Sequence, residues 1–341
     1  MTNDQLLWVG SYGGMEADLV RRAGLPFRAI HGAGVHGVGW RLPLNALSLL
    51  RGLAEAMGVV RAFQPSAVFV TGGFITAPVA VAAWLNRVPV LAYLPDIEPG
   101  LAVKLIARLA QRLAVTVEDS RAFFAGREAR VVVTGYPTRP GLEAVTRAEA
   151  QAALGLEPAT PTLLVTGGSR GARSLNRAVF AALPDWLRTF QVIHLSGQLD
   201  WAEAEQARAG LAAEQQARYH AWPFLHEMGQ ALAAADLVVS RAGASALGEY
   251  PLFGLPAILV PYPFAWRYQK VNADYLVRRG AALRLNDEDL SAQLAGQVRA
   301  LLGDPPRLAA MRAAARAAAQ PGAAERIVAE LARLAGGAAQ P

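Results

Sequence analysis

The sequence predicts an α/β protein built from two doubly wound domains, each a mostly parallel sheet with helices on both faces. Short apolar runs alternate with helical patterns along nearly the whole chain, which is typical of βαβ units. A length of 341 residues is enough for two such domains. A segment rich in glycine and proline, "GYPTRPG" at 135–141, separates two series of runs and is a candidate linker. We therefore predict an N-terminal domain at 1–138 and a C-terminal domain at 139–341, with a last helix able to pack back on the first domain.

Composition limits the classes of function. The chain has no cysteine, which excludes disulfides, thiolate metal sites and a cysteine nucleophile. Its formal net charge of +6 favours anionic partners such as nucleotides or acidic lipid surfaces. The basic residues are dispersed rather than clustered among aromatic residues, so we expect no nucleic-acid partner. No histidine cluster is present to hold a metal, and we expect neither a metal nor another cofactor.

Six apolar runs predict the strands of the first domain, and helical patterns such as Asn45–Phe63 and Leu101–Leu113 separate them. The uncharged stretch 66–86 is long enough to resemble a membrane span, but Gly72, Gly73 and Pro78 divide it into a strand, a turn and a helix. We therefore expect no transmembrane helix. The predicted strands are Leu6–Val9, Phe27–Ile30, Ala67–Val70, Val88–Ala92, Ala114–Val117 and Val131–Thr134.

The second domain begins with a predicted helix at Thr146–Leu154 and continues with five apolar runs. From Pro305 the alanine- and arginine-rich C-terminus has helical spacing, with a break at Pro321-Gly322. If the two domains face each other, the carboxyl ends of both sets of strands open on one cleft. The predicted strands are Thr162–Thr166, Gln191–Leu195, Leu237–Ser240, Ala257–Val260 and Ala282–Leu285.

The stretch "TGGSRGARSLN", Thr166 to Asn176, leaves the first of these strands through glycines and enters a helix. Gly167 and Gly168 permit backbone conformations and a close approach that a side chain forbids. The helix N-terminus offers free N–H groups and a positive dipole end, which together suit an anion such as phosphate. Glycines also occupy such turns for packing alone, so this motif by itself leaves both interpretations open.

A second strand-to-turn motif is "SRAGASALGEYPLFGLPAILVP", Ser240 to Pro261. The strand enters a turn of small residues at 242–245, where Ser245 is suited to cap the next helix. Glu249 follows just beyond. This glutamate is either a solvated helix residue or, because it lies near the strand tips, an acceptor for two ribose hydroxyl groups.

Several segments carry a resemblance to a known family. "GGSRGARSLN", "SRAGASALGEYPLFGLPAILVPYP" and "WRYQKVNADYLVRRGAA" resemble motifs of the MurG family of bacterial peptidoglycan glycosyltransferases, in glycosyltransferase family 28. The likeness extends forward through "GGMEADLVRRAGLPF", "VFVTGGFITAPVAVAAW" and "VVVTGYPTRP", and so covers most of the chain. It implies a GT-B fold and inverting transfer of N-acetylglucosamine from UDP to a muramyl-peptide on undecaprenyl diphosphate.

The resemblance also implies a UDP-sugar site in the second domain, with the diphosphate on the glycine turn after the first strand. A phosphate on that turn explains why the chain crosses glycines there. The substrate-binding residues implied are Arg139, Gly168, Ser169, Gly171, Leu225, Gly243, Ala244, Ser245, Glu249, Gln269 and Asn272.

Most of these roles have a simpler alternative. Arg139 matches an arginine that touches a phosphate, although an exposed linker arginine would look the same. Leu225 matches an aliphatic residue that packs on uracil, although an ordinary loop anchor would look the same. Glu249 matches the ribose-binding glutamate. Gln269 and Asn272 match the "QQxxNA" segment, whose glutamine reads the sugar hydroxyls.

The chain departs from the family pattern at three places. Tyr268 replaces the first glutamine of that segment, which puts sugar selectivity in doubt. After Ala92 the family's His-Glu-Gln-Asn run is replaced by "YLPD", in which we expect only Asp96 to hydrogen-bond or take a proton; Asp96 is equally suited to cap the helix after Gly100. Leu6–Val9 aligns with the family's second strand, so we expect the N-terminal domain to lack its first βα unit and the histidine that the family carries there.

His31 and His36 are the only histidines of the N-terminal half, and with Asp96 they are the candidates for a catalytic base. Loop histidines without a catalytic role are the commoner case. His194 and His226 are more simply structural.

The stretch "LAVKLIARLAQRLAV" predicts a basic amphipathic helix, because Lys104, Arg108 and Arg112 recur every four residues between apolar ones. It is either a helix that lies in anionic headgroups or a core-facing helix with a solvated basic stripe.

Together these features predict an enzyme bound peripherally to the cytoplasmic side of the cell membrane. Its partners are UDP-N-acetylglucosamine, an undecaprenyl-diphosphate-linked acceptor and the inner-leaflet surface. The alternatives are a UDP-sugar transferase for another lipid acceptor, a UDP-sugar 2-epimerase, and a non-catalytic UDP-sugar-binding subunit.

Overall fold

The computed structural model describes residues 5–14, 16–32, 42–73, 75–168, 170–265 and 267–337. The chain divides into two compact units: unit 1 comprises Met1–Thr134 with Ala324–Pro341, and unit 2 comprises Gly135–Ala323. Every strand pair in both units is parallel. The predicted fold class, α/β with two parallel-sheet domains, is therefore confirmed.

Unit 1 follows the predicted alternation of strands and helices. The stretch 66–86 folds as a strand, a turn and a helix, as its glycines predict. Its strands are β1 Trp8–Ser11, β2 Phe27–Ile30, β3 Val68–Val70, β4 Val90–Leu94, β5 Arg112–Val115 and β6 Val131–Val133. Its helices are α1 Glu16–Arg22, α2 Leu42–Phe63, α3 Thr76–Leu85, α4 Leu101–Leu109 and, from the C-terminus of the chain, α14 Ala323–Gly337.

Two separate sheets form in unit 1. β1 pairs with β2, while β3, β4, β5 and β6 form a second sheet in that order. Within the described residues, β1 and β3 thus have one strand partner each. The missing first βα unit stays a prediction.

The C-terminal helix completes the core of unit 1. Ile327 on α14 is buried with Leu91, Tyr93 and Ala114 of the second sheet. Arg326 donates two hydrogen bonds to the carbonyl oxygen of Thr134, at 2.9 and 2.7 Å, which holds the helix against the end of the sheet.

The helix predicted at Leu101–Leu113 ends four residues early. Arg112 is the first residue of β5, where its Nε lies 3.7 Å from the Glu330 carboxylate. The prediction that Arg112 shares a helical basic stripe with Lys104 and Arg108 is wrong. The chain leaves the helix here because Gln111 bonds β4: its backbone N–H donates to the carbonyl oxygen of Val90, and its side-chain oxygen accepts from the Val90 N–H.

Unit 2 matches the predicted strands more closely. Its first helix begins with the capping box of Thr146 and Glu149. Its strands are β7 Thr162–Thr166, β8 Gln191–Leu195, β9 Tyr219–Trp222, β10 Leu237–Ser240, β11 Ala257–Leu259 and β12 Ala282–Arg284. Its helices are α5 Arg147–Ala153, α6 Arg173–Trp186, α7 Trp201–Ala209, α8 Ala213–Gln216, α9 Met228–Ala234, α10 Glu249–Phe253, α11 Tyr268–Arg278, α12 Leu290–Leu302 and α13 Pro305–Ala317.

One strand of unit 2 was not predicted. β9 reads "YHAW": Tyr219 is buried and the three residues after it are half-buried, so the strand is short and lacks the continuous buried apolar run by which the other strands were recognised. It lies at the edge of the sheet, where one side of the strand has no strand neighbour among the described residues and an apolar run is not required.

The strand order of unit 2 locates a binding crevice. The sheet runs β12-β11-β10-β7-β8-β9, so the chain winds outward from β7 in one direction and from β10 in the other. In sheets of this kind, ligands bind beyond the carboxyl ends of the strands at the point where the winding reverses. The loops that follow β7 and β10 flank that point.

Candidate functional site

The loop after β7 is the glycine turn of the first motif. Gly168 and Gly171 have positive φ angles of 82° and 77°. A Cβ atom on Gly171 would lie 2.2 Å from the carbonyl oxygen of Ser196, so no side chain fits there. A Cβ atom on Gly168 would meet nothing within 4 Å, so the turn is open above this residue. Ser169 lies outside the described residues.

The helix after this turn begins without a side-chain cap. α6 starts at Arg173, and its N-cap residue, Ala172, has no side chain that could accept from the first N–H groups. The end of a 14-residue helix therefore presents donors and a positive dipole end beside the glycine turn. This geometry suits a phosphate or diphosphate group.

A buried polar network holds the turn from below. The Asn176 amide donates to the carbonyl oxygen of Ser196 and to the Asp200 carboxylate, both at 2.8 Å. Its oxygen must therefore accept from the ring of His194, which lies 3.0 Å away, and the other ring nitrogen accepts from the Tyr219 hydroxyl at 2.8 Å. Burial lowers the pKa of His194 to about 3, so the ring is neutral and structural, as expected.

The loop after β10 is tied to the same helix by an arginine that the sequence did not single out. The Arg241 guanidinium bonds the Asp287 carboxylate at 2.5 Å and the Ser174 hydroxyl at 2.8 Å. Ser174 in turn donates to Asp287 at 2.8 Å, so the loop after β10, the first turn of α6 and the 3-10 turn Asp287–Asp289 are linked to one another. The sequence feature that could have identified Arg241 is its position: it is a charged residue directly after the buried strand β10.

Asp287 also belongs to an Asp-x-Asp pair with Asp289, which the prediction of no metal site overlooked. Asp287 is engaged by Arg241 and Ser174, and Asp289 accepts from Asn286 at 3.0 Å. Among the residues that the structure describes, no group of three or more histidine, aspartate and glutamate side chains is arranged to hold a metal ion.

The small residues after β10 form a short 3-10 helix, Ala244–Leu247, with Gly243 before it. Gly248 then bends the chain into α10, and no side chain caps that helix. The prediction that Ser245 caps it is wrong, because Ser245 lies within the 3-10 turn. Asn272 is fully buried and donates to the carbonyl oxygen of Ala242 at 3.2 Å, so it supports this loop from behind.

Gln269 follows β11 at the same edge of the sheet. Its side-chain oxygen accepts from the backbone N–H of Tyr262 at 2.8 Å. This bond orients the amide, so the NH₂ group is the part that remains to donate to a ligand.

Arg139, Leu225 and Glu249 are also brought together in unit 2. Arg139 donates to the carbonyl oxygen of His226, next to the half-buried Leu225, at 3.5 Å. Glu249 is the first residue of α10. Burial raises the pKa of the Glu249 carboxyl, and the positive charge of Arg139 opposes that shift. The two side chains therefore interact electrostatically within one unit.

The candidate bases of unit 1 have different surroundings. His31 directly follows β2, and its Nδ1 lies 2.8 Å from a carboxylate oxygen of Glu55, a residue that no sequence pattern singled out. Asp96 is half-buried in the loop after β4. Tyr93, which replaces the family histidine, is also able to hydrogen-bond: its hydroxyl lies 3.0 Å from that of Thr116. His36 lies outside the described residues.

No helix in the described ranges is long and apolar enough to cross a bilayer.

Family models match both halves of the chain. The glycosyltransferase family 28 N-terminal domain matches residues 2–115, and the glycosyltransferase family 28 C-terminal domain matches residues 162–327. A protein of Roseiflexus sp. (strain RS-1) is 42% identical over 363 residues, covering 94% of this chain and 82% of the relative. It is named UDP-N-acetylglucosamine--N-acetylmuramyl-(pentapeptide) pyrophosphoryl-undecaprenol N-acetylglucosamine transferase.

Solved structures agree on the fold. The crystal structure of MurG from Acinetobacter baumannii superposes with a TM-score of 0.76 at 25% identity, covering 96% of this chain and 90% of that one. The UDP-GlcNAc 2-epimerase of Neisseria meningitidis superposes with a TM-score of 0.61 at 12% identity, covering 96% and 99%. The epimerase shares the fold alone, while the likeness to MurG confirms the GT-B fold class.

Proposed function

The chain belongs to glycosyltransferase family 28, and on that premise we propose that it transfers N-acetylglucosamine from UDP-N-acetylglucosamine to a muramyl-pentapeptide on undecaprenyl diphosphate, a step of peptidoglycan synthesis. One observation carries the proposal. Apart from Arg139, which precedes the sheet, and Ser169, which lies outside the described residues, the implied donor residues follow β7, β9, β10 and β11, on the carboxyl side of the unit 2 sheet. The printed names of relatives that are 42% and 39% identical to this chain supply the sugar and the acceptor.

The donor site suits a UDP-sugar in each of its parts. The N–H groups of the glycine turn and of α6 receive the diphosphate, and Arg139 adds a cation beside it. Glu249 accepts from the ribose hydroxyls, and Leu225 packs on uracil. The amide of Gln269 donates to the sugar.

The reaction separates charge in a way that this site stabilises. As the acceptor oxygen attacks the anomeric carbon, the bond from that carbon to the phosphate oxygen breaks and its electron pair leaves with UDP. Negative charge then grows on the diphosphate. Donors that are already oriented by the glycine turn and by α6 stabilise this charge without reorganisation.

The outer face of α4 supports contact with an anionic lipid surface. Val103, Ile106 and Ala107 face the core, while Leu101 and Leu105 are 60% and 49% exposed. Lys104 and Arg108 are exposed on the same helix. Exposed leucines beside cations are typical of a helix that lies in headgroups, and a merely solvated basic stripe does not require them. Trp84, at the end of the neighbouring α3, is 50% exposed. We therefore include peripheral binding to the cytoplasmic leaflet in the proposal.

A second candidate is the same donor chemistry with another lipid acceptor. The observation that favours it is the "YLPD" run, in which Tyr93 is buried against Thr116. Where the family has the polar run His-Glu-Gln-Asn, this chain therefore presents Asp96 as the charged residue of the run.

One assay separates these functions. The protein is incubated with radiolabelled UDP-N-acetylglucosamine and, in parallel, with the purified muramyl-pentapeptide lipid, diacylglycerol or another polyprenyl sugar. Label in the muramyl-pentapeptide lipid is the expected result. Label only in another lipid would support the second candidate, while an epimerised nucleotide sugar, or binding without any product, would refute both.

A further inference from the structure

Three elements of unit 1 meet at one histidine. His31 follows β2 directly, Tyr12 follows the neighbouring β1, and Glu55 lies on α2. Because β1 and β2 are parallel, their carboxyl ends share one edge of the sheet. The ring centroids of Tyr12 and His31 are 4.6 Å apart. The cluster thus lies at the end of the strands where ligands of α/β sheets bind.

The hydrogen bonds of His31 determine its tautomer. Nδ1 lies 2.8 and 3.0 Å from the two carboxylate oxygens of Glu55. An ionised carboxylate only accepts, so the proton of the neutral ring is on Nδ1 and the lone pair is on Nε2. Among the described residues, Nε2 has no hydrogen-bond partner. A third of the His31 side chain is exposed.

Glu55 is held in its charged form. Its partial burial opposes ionisation, but hydrogen bonds from the His31 backbone and ring and from Arg51 outweigh that effect and lower the pKa of the Glu55 carboxyl. A charged Glu55 keeps the proton on Nδ1 and stabilises the imidazolium that forms when Nε2 takes a second proton.

The surroundings hold His31 in place more firmly than a loop residue requires. Its backbone N–H donates to Glu55 at 2.7 Å, so one carboxylate binds both the main chain and the ring. A Cβ atom on Gly52 would lie 1.9 Å from the His31 carbonyl oxygen, so α2 approaches this residue only because position 52 is glycine. The position of the His31 imidazole is therefore fixed by two hydrogen-bonded contacts with Glu55 and by the close packing of α2 against the His31 backbone.

We propose that His31 is the general base of the transfer reaction and that Glu55 is its positioning residue. The inference rests on the proposed function. In the reaction, Nε2 takes the proton of the acceptor hydroxyl as its oxygen forms a bond to the anomeric carbon. The bond from that carbon to the UDP phosphate oxygen breaks, and its electron pair leaves with UDP. The proton remains on His31 until it passes to solvent.

The test compares variants of the full chain in the labelled-lipid assay. His31→Gln should lower kcat by about 100- to 10,000-fold, the range for loss of a general base. It should also remove the limb of the pH profile on which the rate falls with falling pH. UDP affinity, measured by calorimetry, should not change, because the implied donor residues are in unit 2.

Glu55→Gln tests the positioning role. Its amide can donate to Nδ1, which moves the ring proton to Nε2 and removes the lone pair from the reacting side. It also removes the charge that stabilises the imidazolium. We expect a loss smaller than for His31→Gln and a shift of the acid limb to lower pH, since the ring is then harder to protonate. A purely structural Glu55 would lower the melting temperature and leave the limb in place.

His220→Gln and Glu203→Gln, at positions in unit 2 outside the site, are the matched controls and should behave like the wild type. A folded His31→Gln protein that keeps wild-type kcat and its acid limb would overturn this inference alone. A Glu55→Gln protein in which both kcat and the limb are unchanged would overturn it as well. A wild-type protein that binds UDP and labels no lipid would overturn the proposed function, and this inference with it.

Discussion

At the scale of single residues, Glu249 shows how a side chain suited to ligand binding can lower the stability of the free protein. Its carboxyl group is half-buried on the first turn of α10, and burial raises its pKa. An ionised carboxylate in that position destabilises the free protein at neutral pH, because the raised pKa means that folding favours the protonated form. Ribose hydroxyls would offset this cost by donating to the charged oxygens. Arg139 offsets part of it in the free protein.

Glu249→Gln should therefore weaken UDP binding without destabilising the free protein. Loss of hydrogen bonds to a charged acceptor costs about 1.5–3 kcal/mol, which is about 10- to 150-fold in Kd. The effect on stability has the opposite sign. The raised pKa of Glu249 means that its contribution to the free energy of unfolding is lost as pH rises through that pKa. The free energy of unfolding of the variant should therefore increase relative to that of the wild type over that pH range. Calorimetry with UDP and melting curves from pH 4 to 8 measure both effects. An unchanged Kd in the variant would remove Glu249 from the site; Glu203→Gln is the control.

At the scale of elements, α4 shows a helix whose end is decided by tertiary contacts and not by the periodicity of the sequence. Basic residues at every fourth position predict one helical stripe through Arg112. The helix ends at Leu109, and Arg112 instead pairs with Glu330 of α14. The exposed cations of α4 are therefore Lys104 and Arg108, beside the exposed Leu101 and Leu105.

Replacing both cations of α4 by glutamine should weaken binding to anionic vesicles. Each basic residue near such a surface contributes about 1 kcal/mol, so Lys104→Gln with Arg108→Gln should lower vesicle affinity by about 30-fold. UDP affinity should stay constant. Cosedimentation with vesicles that contain anionic lipid measures the change.

Arg188→Gln with Arg307→Gln, two exposed arginines of unit 2, is the matched control for charge. Equal losses in the two double variants would show that net charge, rather than α4, brings the protein to the membrane.

At the scale of the whole molecule, several side chains have lowered pKa values, which makes the stability of the fold sensitive to acid. Hydrogen bonds from backbone and side-chain groups lower the pKa of five glutamates, of which four are exposed and Glu16 is half-buried. Water screens such sites, so each contributes little to stability. Burial lowers the pKa of His194 from 6.5 to about 3, and no water screens this group. The five glutamates are Glu16, Glu118, Glu128, Glu149 and Glu157.

The stability of the protein should therefore begin to fall near pH 6.5 rather than near pH 4.5. Between pH 6.5 and 3 the unfolded chain binds one proton at His194 that the folded chain does not, so the free energy of unfolding decreases as pH falls. Melting temperatures measured from pH 7.5 to 4.5 should show this slope.

His194→Gln should show a smaller slope, although its stability at neutral pH is lower because Asn176 and Tyr219 lose a partner. Tyr219→Phe keeps the histidine and should keep the slope. A His194→Gln protein with the wild-type slope would assign the acid sensitivity to other groups.

The sequence by itself determined the architecture and the donor motifs. Buried parallel strands must be nearly continuous apolar runs, so β7, β8 and β10 were predicted with their observed bounds. The glycines at 168 and 171 both have a positive φ angle, which favours glycine, and a Cβ atom on Gly171 would also lie 2.2 Å from the carbonyl oxygen of Ser196. Strands and glycine turns of this kind depend on consecutive residues, so they can be predicted from the sequence.

Only the tertiary structure decided which distant residues act together. Glu55 is 24 positions from His31, and Asp287 is 46 positions from Arg241, so no spacing in the chain relates them. The end of α4 was decided by pairing with β4, and the β9 edge strand by its neighbour β8, since both depend on hydrogen bonds to remote segments. Contacts between residues far apart in the chain arise from the packing of helices on sheets. For this reason the glycine turn was predictable from the sequence, while the partner of His31 was not.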